Sequence, residues 1–183
     1  MLIQKKLWIS ALAILCTLTI AIGATVAYLT AISKPVENVF TIGQIKLALT
    51  ETTGDRYQMV PGKAVSKNPK VTVEGDNEDC WLFVRVQKTQ HFDDYFVYEM
   101  ADGWTVLGGF EGVYYREVVA SPISSEFPIL KNDTITVRDN LTEEKMSAVT
   151  NLPIIDFTAY AVQSYSVDTA RDAWDLILQE NEA

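Results

Sequence analysis

Hydrophobic positions along this chain follow three patterns. Leu7 to Ile22 carries no charge and is dominated by Leu, Ile and Ala. From Val39 onward, apolar and polar residues mostly alternate, the period of a half-buried strand. Near the end, the spacing turns helical.

Val39 to Glu51 (VFTIGQIKLALTE) alternates on two phases, with Phe40 and Ile42 on one and Ile45, Leu47 and Leu49 on the other. The shift falls beside Gly43 and predicts one long strand with a β-bulge. Pro61-Gly62 predicts a turn, and Pro69 ends an irregular linker before a short strand at Val71. Asp79 to Lys88 is the clearest strand. Cys80, Leu82, Val84 and Val86 face one way; Trp81, Phe83, Arg85 and Gln87 face the other. Further strands are expected over Phe92 to Glu99, Gly112 to Ala120, Thr134 to Arg138 and Pro153 to Tyr165, the last with Ile155, Phe157, Ala159 and Ala161 inward. Two helices are predicted. Asn140 to Val149 has an Asn cap with Glu143 three residues on. Asp168 to Glu180 carries Ala170, Ala173, Trp174, Ile177 and Leu178 as one stripe, with Trp174 as its core anchor. The expected class is mainly β, a jelly-roll-like antiparallel β-sandwich with short helices.

The first pattern reads as an N-terminal signal peptide helix. Lys5 and Lys6 precede the apolar run, and Thr25 and Ala27 stand as a small −3/−1 pair after it. The run is short for a spanning helix. Cleavage is expected between Ala27 and Tyr28. Leu15 before Cys16 is too bulky for a lipidation site. The organisation is then 1–27 signal peptide, 28–38 N-terminal arm, and 39–183 β-sandwich domain. Removing the signal takes two of the 15 basic residues and moves the net charge from −9 to −11. Such a chain has no electrostatic reason to bind nucleic acid or an anionic membrane, and meets a membrane only through an uncleaved signal. Cys80 is then the single thiol, so no internal disulfide is available.

The sequence holds little catalytic chemistry. His91 is the single histidine, which excludes an HExxH motif and any multi-histidine site. No GxSxG elbow is present, and Gly108-Gly109 is followed by Phe110 rather than a Lys-Ser pair. Cys80 is in phase with Leu82 and Val84, which predicts a buried structural thiol. Asp76 to Asp79 and Asp93-Asp94 lack the loop spacing of a calcium site and read as solvated turns. No catalytic residue, metal ligand or cofactor is assigned.

Four separated blocks then carry a resemblance: AYLT (27–30), NVFTIGQIKLALTE (38–51), VPGKAVSKNPKVTVEGDNEDCWLFVRV (60–86) and FTAYAVQSYSVDTARDAW (157–174). In this order they resemble the TasA/camelysin family, exported proteins of Gram-positive bacteria matured by a SipW-type signal peptidase. Residues from about 90 to 150 match less well. The resemblance implies a jelly-roll sandwich, secretion to the cell surface or biofilm matrix, and fibres that form when one subunit's N-terminal segment completes the next subunit's sheet. Here that segment is Tyr28, Leu29, Thr30, Ala31 and Ile32, where Tyr28, Thr30 and Ile32 share one side. Pro35 blocks simple extension into the Val39 strand. The implied partners are the signal peptidase and other copies or related matrix proteins. Two other functions stay open. One is a camelysin-like secreted metalloprotease, for which one histidine leaves mainly carboxylates as zinc ligands, a poor set. The other is a monomeric surface-binding module.

Overall fold

The computed structural model describes residues 30–32, 38–42, 45–53, 56–147 and 153–181. The expected signal peptide and its cleavage residues Thr25, Ala27 and Tyr28 lie outside the described residues. So do Leu29, Gly43, and the last residues of the helix expected to reach Val149.

The described chain is mainly β with a few short helices. Its strands are β1 (Thr30–Ile32), β2 (Asn38–Ile42), β3 (Leu47–Thr50), β4 (Arg56–Gln58), β5 (Ala64–Ser66), β6 (Lys70–Val73), β7 (Cys80–Lys88), β8 (Phe96–Val97), β9 (Thr105–Val106), β10 (Val113–Val118), β11 (Ser125–Pro128), β12 (Thr134–Val137) and β13 (Ile155–Gln163). The helices are α1 (Phe92–Tyr95), α2 (Glu143–Ser147) and α3 (Ala170–Asn181). The central sheet runs β2-β13-β7-β10-β9. Two three-stranded sheets run β11-β6-β3 and β5-β12-β8, and β1 pairs with β4 in a two-stranded ribbon. The named pairings are antiparallel except that of β2 with β13, which is parallel.

Alternation on β7 and β13 explains the layering. Cys80, Leu82, Val84 and Val86 join Ile155, Phe157, Ala159 and Ala161 in one core with Leu49, Val65, Val71, Val73, Ile135 and Val137 of the smaller sheets. On the opposite face, Trp81, Phe83, Tyr160 and Val162 form a second core with Ala170, Ala173, Trp174 and Ile177 of α3. Both faces of these two strands are therefore buried over most of their length. The register sets small against large, with Ala161 opposite Leu82 and Ala159 opposite Val84.

Three expected elements differ. The long bulged strand from Val39 is two strands in different sheets: β2 lies beside β13, and β3 beside β6. The phase shift falls between strands of two sheets, and the bulge expected beside Gly43 lies outside the described residues. Phe92 to Glu99 begins as a helical turn, α1, before β8. Phe92 and Phe96 are four residues apart and stack at 5.1 Å, a helical rather than a strand separation. The cap of α2 is Thr142, not Asn140: its Oγ1 accepts from the Lys145 amide at 3.3 Å.

Helix α3 matches its predicted stripe. It is capped by Thr169, whose Oγ1 accepts from the Asp172 amide at 3.2 Å and donates to Asp172 Oδ2 at 2.6 Å. Thr169→Ala should cost about 1 kcal/mol, the usual value of a lost N-cap. Thermal melting should show a drop of several degrees. An unchanged melting temperature would mean that packing alone sets the start of the helix.

Candidate functional site

The arm expected to run free has a partner in this structure. Thr30–Ile32 pairs antiparallel with Arg56–Gln58 of the same chain, in the register Thr30–Gln58, Ala31–Tyr57 and Ile32–Arg56. Asn38, expected as the arm's last residue, already pairs with Thr158. Among the described residues, the β1–β4 ribbon is hydrogen-bonded to none of the other sheets. A two-stranded ribbon of three pairs is marginal by itself. Beyond it, β2 forms an edge of the central sheet, with Val39 and Thr41 exposed.

The partner strand β4 is held from its base. It lies between Glu51 and Lys67, which meet in a buried ion pair. Lys67 Nζ is 2.9 Å from both Glu51 carboxylate oxygens, and the two side chains are 2% and 9% exposed. Beside it, Asn68 Oδ1 accepts from the amides of Thr52 and Thr53 at 3.0 and 2.9 Å. Asn68 Nδ2 donates to Thr52 Oγ1 at 2.8 Å. Met59, just after β4, is 3% exposed and belongs to the main core. The loop is thus pinned at both ends and at one internal side chain, and it presents Arg56–Gln58 to β1. Sequence reasoning missed this clamp. A lysine within VSKNPK reads as solvated, and no local period marks its burial.

Other residues singled out by chemistry are dispersed. Cys80 is buried in the main core, where burial, then the neighbouring Asp79, pushes its thiol up to about 12. A thiol held so far above neutral pH carries almost no thiolate. His91 sits exposed before α1, its Nδ1 3.0 Å from Asp94 Oδ2. The acidic turns have local structural uses. Asp79 Oδ1 accepts from the Ala120 amide at 2.6 Å, Asn77 Oδ1 accepts from the Ser121 amide at 3.1 Å, and Asp93 pairs with Lys88 at 2.6 Å. Among the described residues, no group of three or more His, Cys, Asp or Glu side chains is placed to hold a metal ion.

The ribbon can therefore do one thing that the main sheets cannot do cheaply. Its three-pair ladder can open at the cost of few backbone hydrogen bonds. No family model, curated protein or solved structure matches the chain.

Proposed function

We propose that this chain is an exported structural protein of a Gram-positive cell surface or biofilm matrix, a jelly-roll sandwich of the TasA/camelysin kind. It is cut after Ala27 by a SipW-type peptidase and assembles by passing its N-terminal strand to the next copy. The supporting observation is the ribbon: the segment that resembles a donor strand pairs outside the main sheets, with a short strand in a pinned loop. Strand exchange of this kind is heterologous and does not close on itself, so it propagates into filaments. Each large apolar anchor of the arm contributes roughly 1.5–3 kcal/mol before the cost of ordering it. Several contacts must therefore act together. Uncut, the arm stays tethered at the membrane, so signal removal doubles as the assembly switch.

Two chains test this, one starting at Tyr28 and one at Val39. Electron microscopy and light scattering should show filaments from the first alone, while circular dichroism shows both folded. Filaments of normal length from the shorter chain would refute the donor role.

A further inference from the structure

A cleft of about 530 Å³ opens between α1, the residues that follow β12, and α2. Sites for small molecules span about 300–1,000 Å³, so there is room for one here. Arg138 lines the cleft and is set in place by the backbone of α1. Its amide donates to the Tyr95 carbonyl at 2.8 Å, and its Nε donates to the Asp93 carbonyl at 2.6 Å. Those bonds use Nε and fix the stem of the side chain. The Nη groups have no hydrogen-bond partner among the described residues. Arg138 also forms none of the ion pairs found among those residues.

Lys145 of α2 lines the same cleft, and it too is absent from those ion pairs. Composition makes this unexpected. Asp and Glu outnumber Lys and Arg by 24 to 15, so cations rarely lack a carboxylate. Asp93 and Asp94 stand on the cleft as well, but each is engaged elsewhere. Asp93 Oδ2 meets Lys88 Nζ at 2.6 Å, and Asp94 Oδ2 meets His91 Nδ1 at 3.0 Å. The remaining lining is the exposed Asn140, the half-buried Tyr95 and the buried Leu141. Two cations without a counter-charge beside apolar surface suit an organic anion. The two nearby aspartates and the net charge of −9 oppose a dianion more than a monoanion. A planar carboxylate also matches the Nη pair of a guanidinium.

We propose that this cleft binds a small organic monocarboxylate, with its carboxylate on Arg138 and Lys145 and its apolar body against Tyr95 and Leu141. The site shares no residue with the β1–β4 ribbon, and neither assignment depends on the other.

Benzoate is the probe, titrated into the ¹⁵N-labelled full-length chain. Benzamide serves as its neutral isostere and phenyl phosphate as a dianion. The backbone amides of Tyr95, Asn140 and Leu141 should shift saturably with benzoate and not with benzamide. Arg138→Gln should weaken benzoate binding by roughly tenfold or more, the usual worth of a hydrogen bond to a charged group. If that variant unfolds, Lys145→Gln takes its place, at an exposed position, and should weaken binding severalfold. A loss in either folded variant, with benzamide silent, supports the site. The absence of any saturable shift with benzoate, equal responses to benzoate and benzamide, or benzoate binding unchanged in every folded variant would overturn it. Tighter binding of phenyl phosphate than of benzoate would overturn the choice of a monocarboxylate.

Discussion

Lys67→Ala should destabilise the fold by about 3–5 kcal/mol, the cost of leaving a buried charge without its partner. Lys67 is 1% exposed overall, and its ammonium touches both Glu51 oxygens at 2.9 Å. Removing it takes the counter-charge from a carboxylate that is only 9% exposed, although Thr53 Oγ1 still donates to it at 2.9 Å, and empties space beside the Phe157 ring, whose centroid lies 5.8 Å from Nζ. Urea unfolding should show the loss as a lower midpoint at unchanged slope. A double replacement, Lys67→Met with Glu51→Leu, should recover much of the loss, because neither position then carries a buried charge. The same single substitution should speed hydrogen exchange across residues 51–67, since it unpins the loop that carries β4. A loss under about 1 kcal/mol would place the pair with ordinary surface ion pairs.

Trp174→Ala should cost a similar amount, about 3–5 kcal/mol. The indole is 2% exposed and lies at the centre of the α3 core. It meets Phe83 at 5.3 Å and Tyr160 at 5.2 Å, with the Tyr160 ring edge-on. Phe110 closes a third side at 6.2 Å. Truncation removes those contacts together and leaves a cavity that the rigid sheet cannot collapse into. Trp174→Phe should cost much less. The indole N–H is buried without a partner among the described residues, so the smaller ring sheds an unsatisfied donor as it loses volume. Equal losses for Ala and Phe would mean that the indole shape itself, rather than apolar filling, supports α3.

What could be read from the chain follows the range of the forces involved. The faces of β7 and β13 were legible because alternation is local and the burial of Leu82, Val84, Phe157 and Ala159 follows it directly. The α3 stripe was legible for the same reason, with Ala173, Trp174 and Ile177 at helical spacing. The crossing between β2 and β3 was not, because a phase shift beside a glycine looks the same whether the strand bulges or changes sheets. The parallel pairing of β2 with β13 depends on contacts over a hundred residues apart. In α2 the expected cap, Asn140, gave way to Thr142, because the helix starts two residues later than the capping pattern placed it. Of the candidate site, the arm's position came from the signal-like N-terminus and the resemblance. Its pairing with Arg56–Gln58 had no signal in RYQ, and Glu51 with Lys67 became a clamp only once the fold brought them together.

The proposed exchange puts Thr30–Ile32 of one copy beside Arg56–Gln58 of the next. Mixing two variants of the chain starting at Tyr28, each with one added cysteine, tests this most directly. One carries Ala31→Cys and the other Tyr57→Cys, the two positions that face each other in the ribbon. Facing residues of an antiparallel pair lie within disulfide reach. The buried Cys80, its thiol raised to about 12, should not compete. After assembly and mild oxidation, strand exchange predicts a mixed disulfide joining the two variants along the filament. Filaments without that mixed disulfide, alongside a doubly substituted chain that readily closes the same bond within itself, would contradict it.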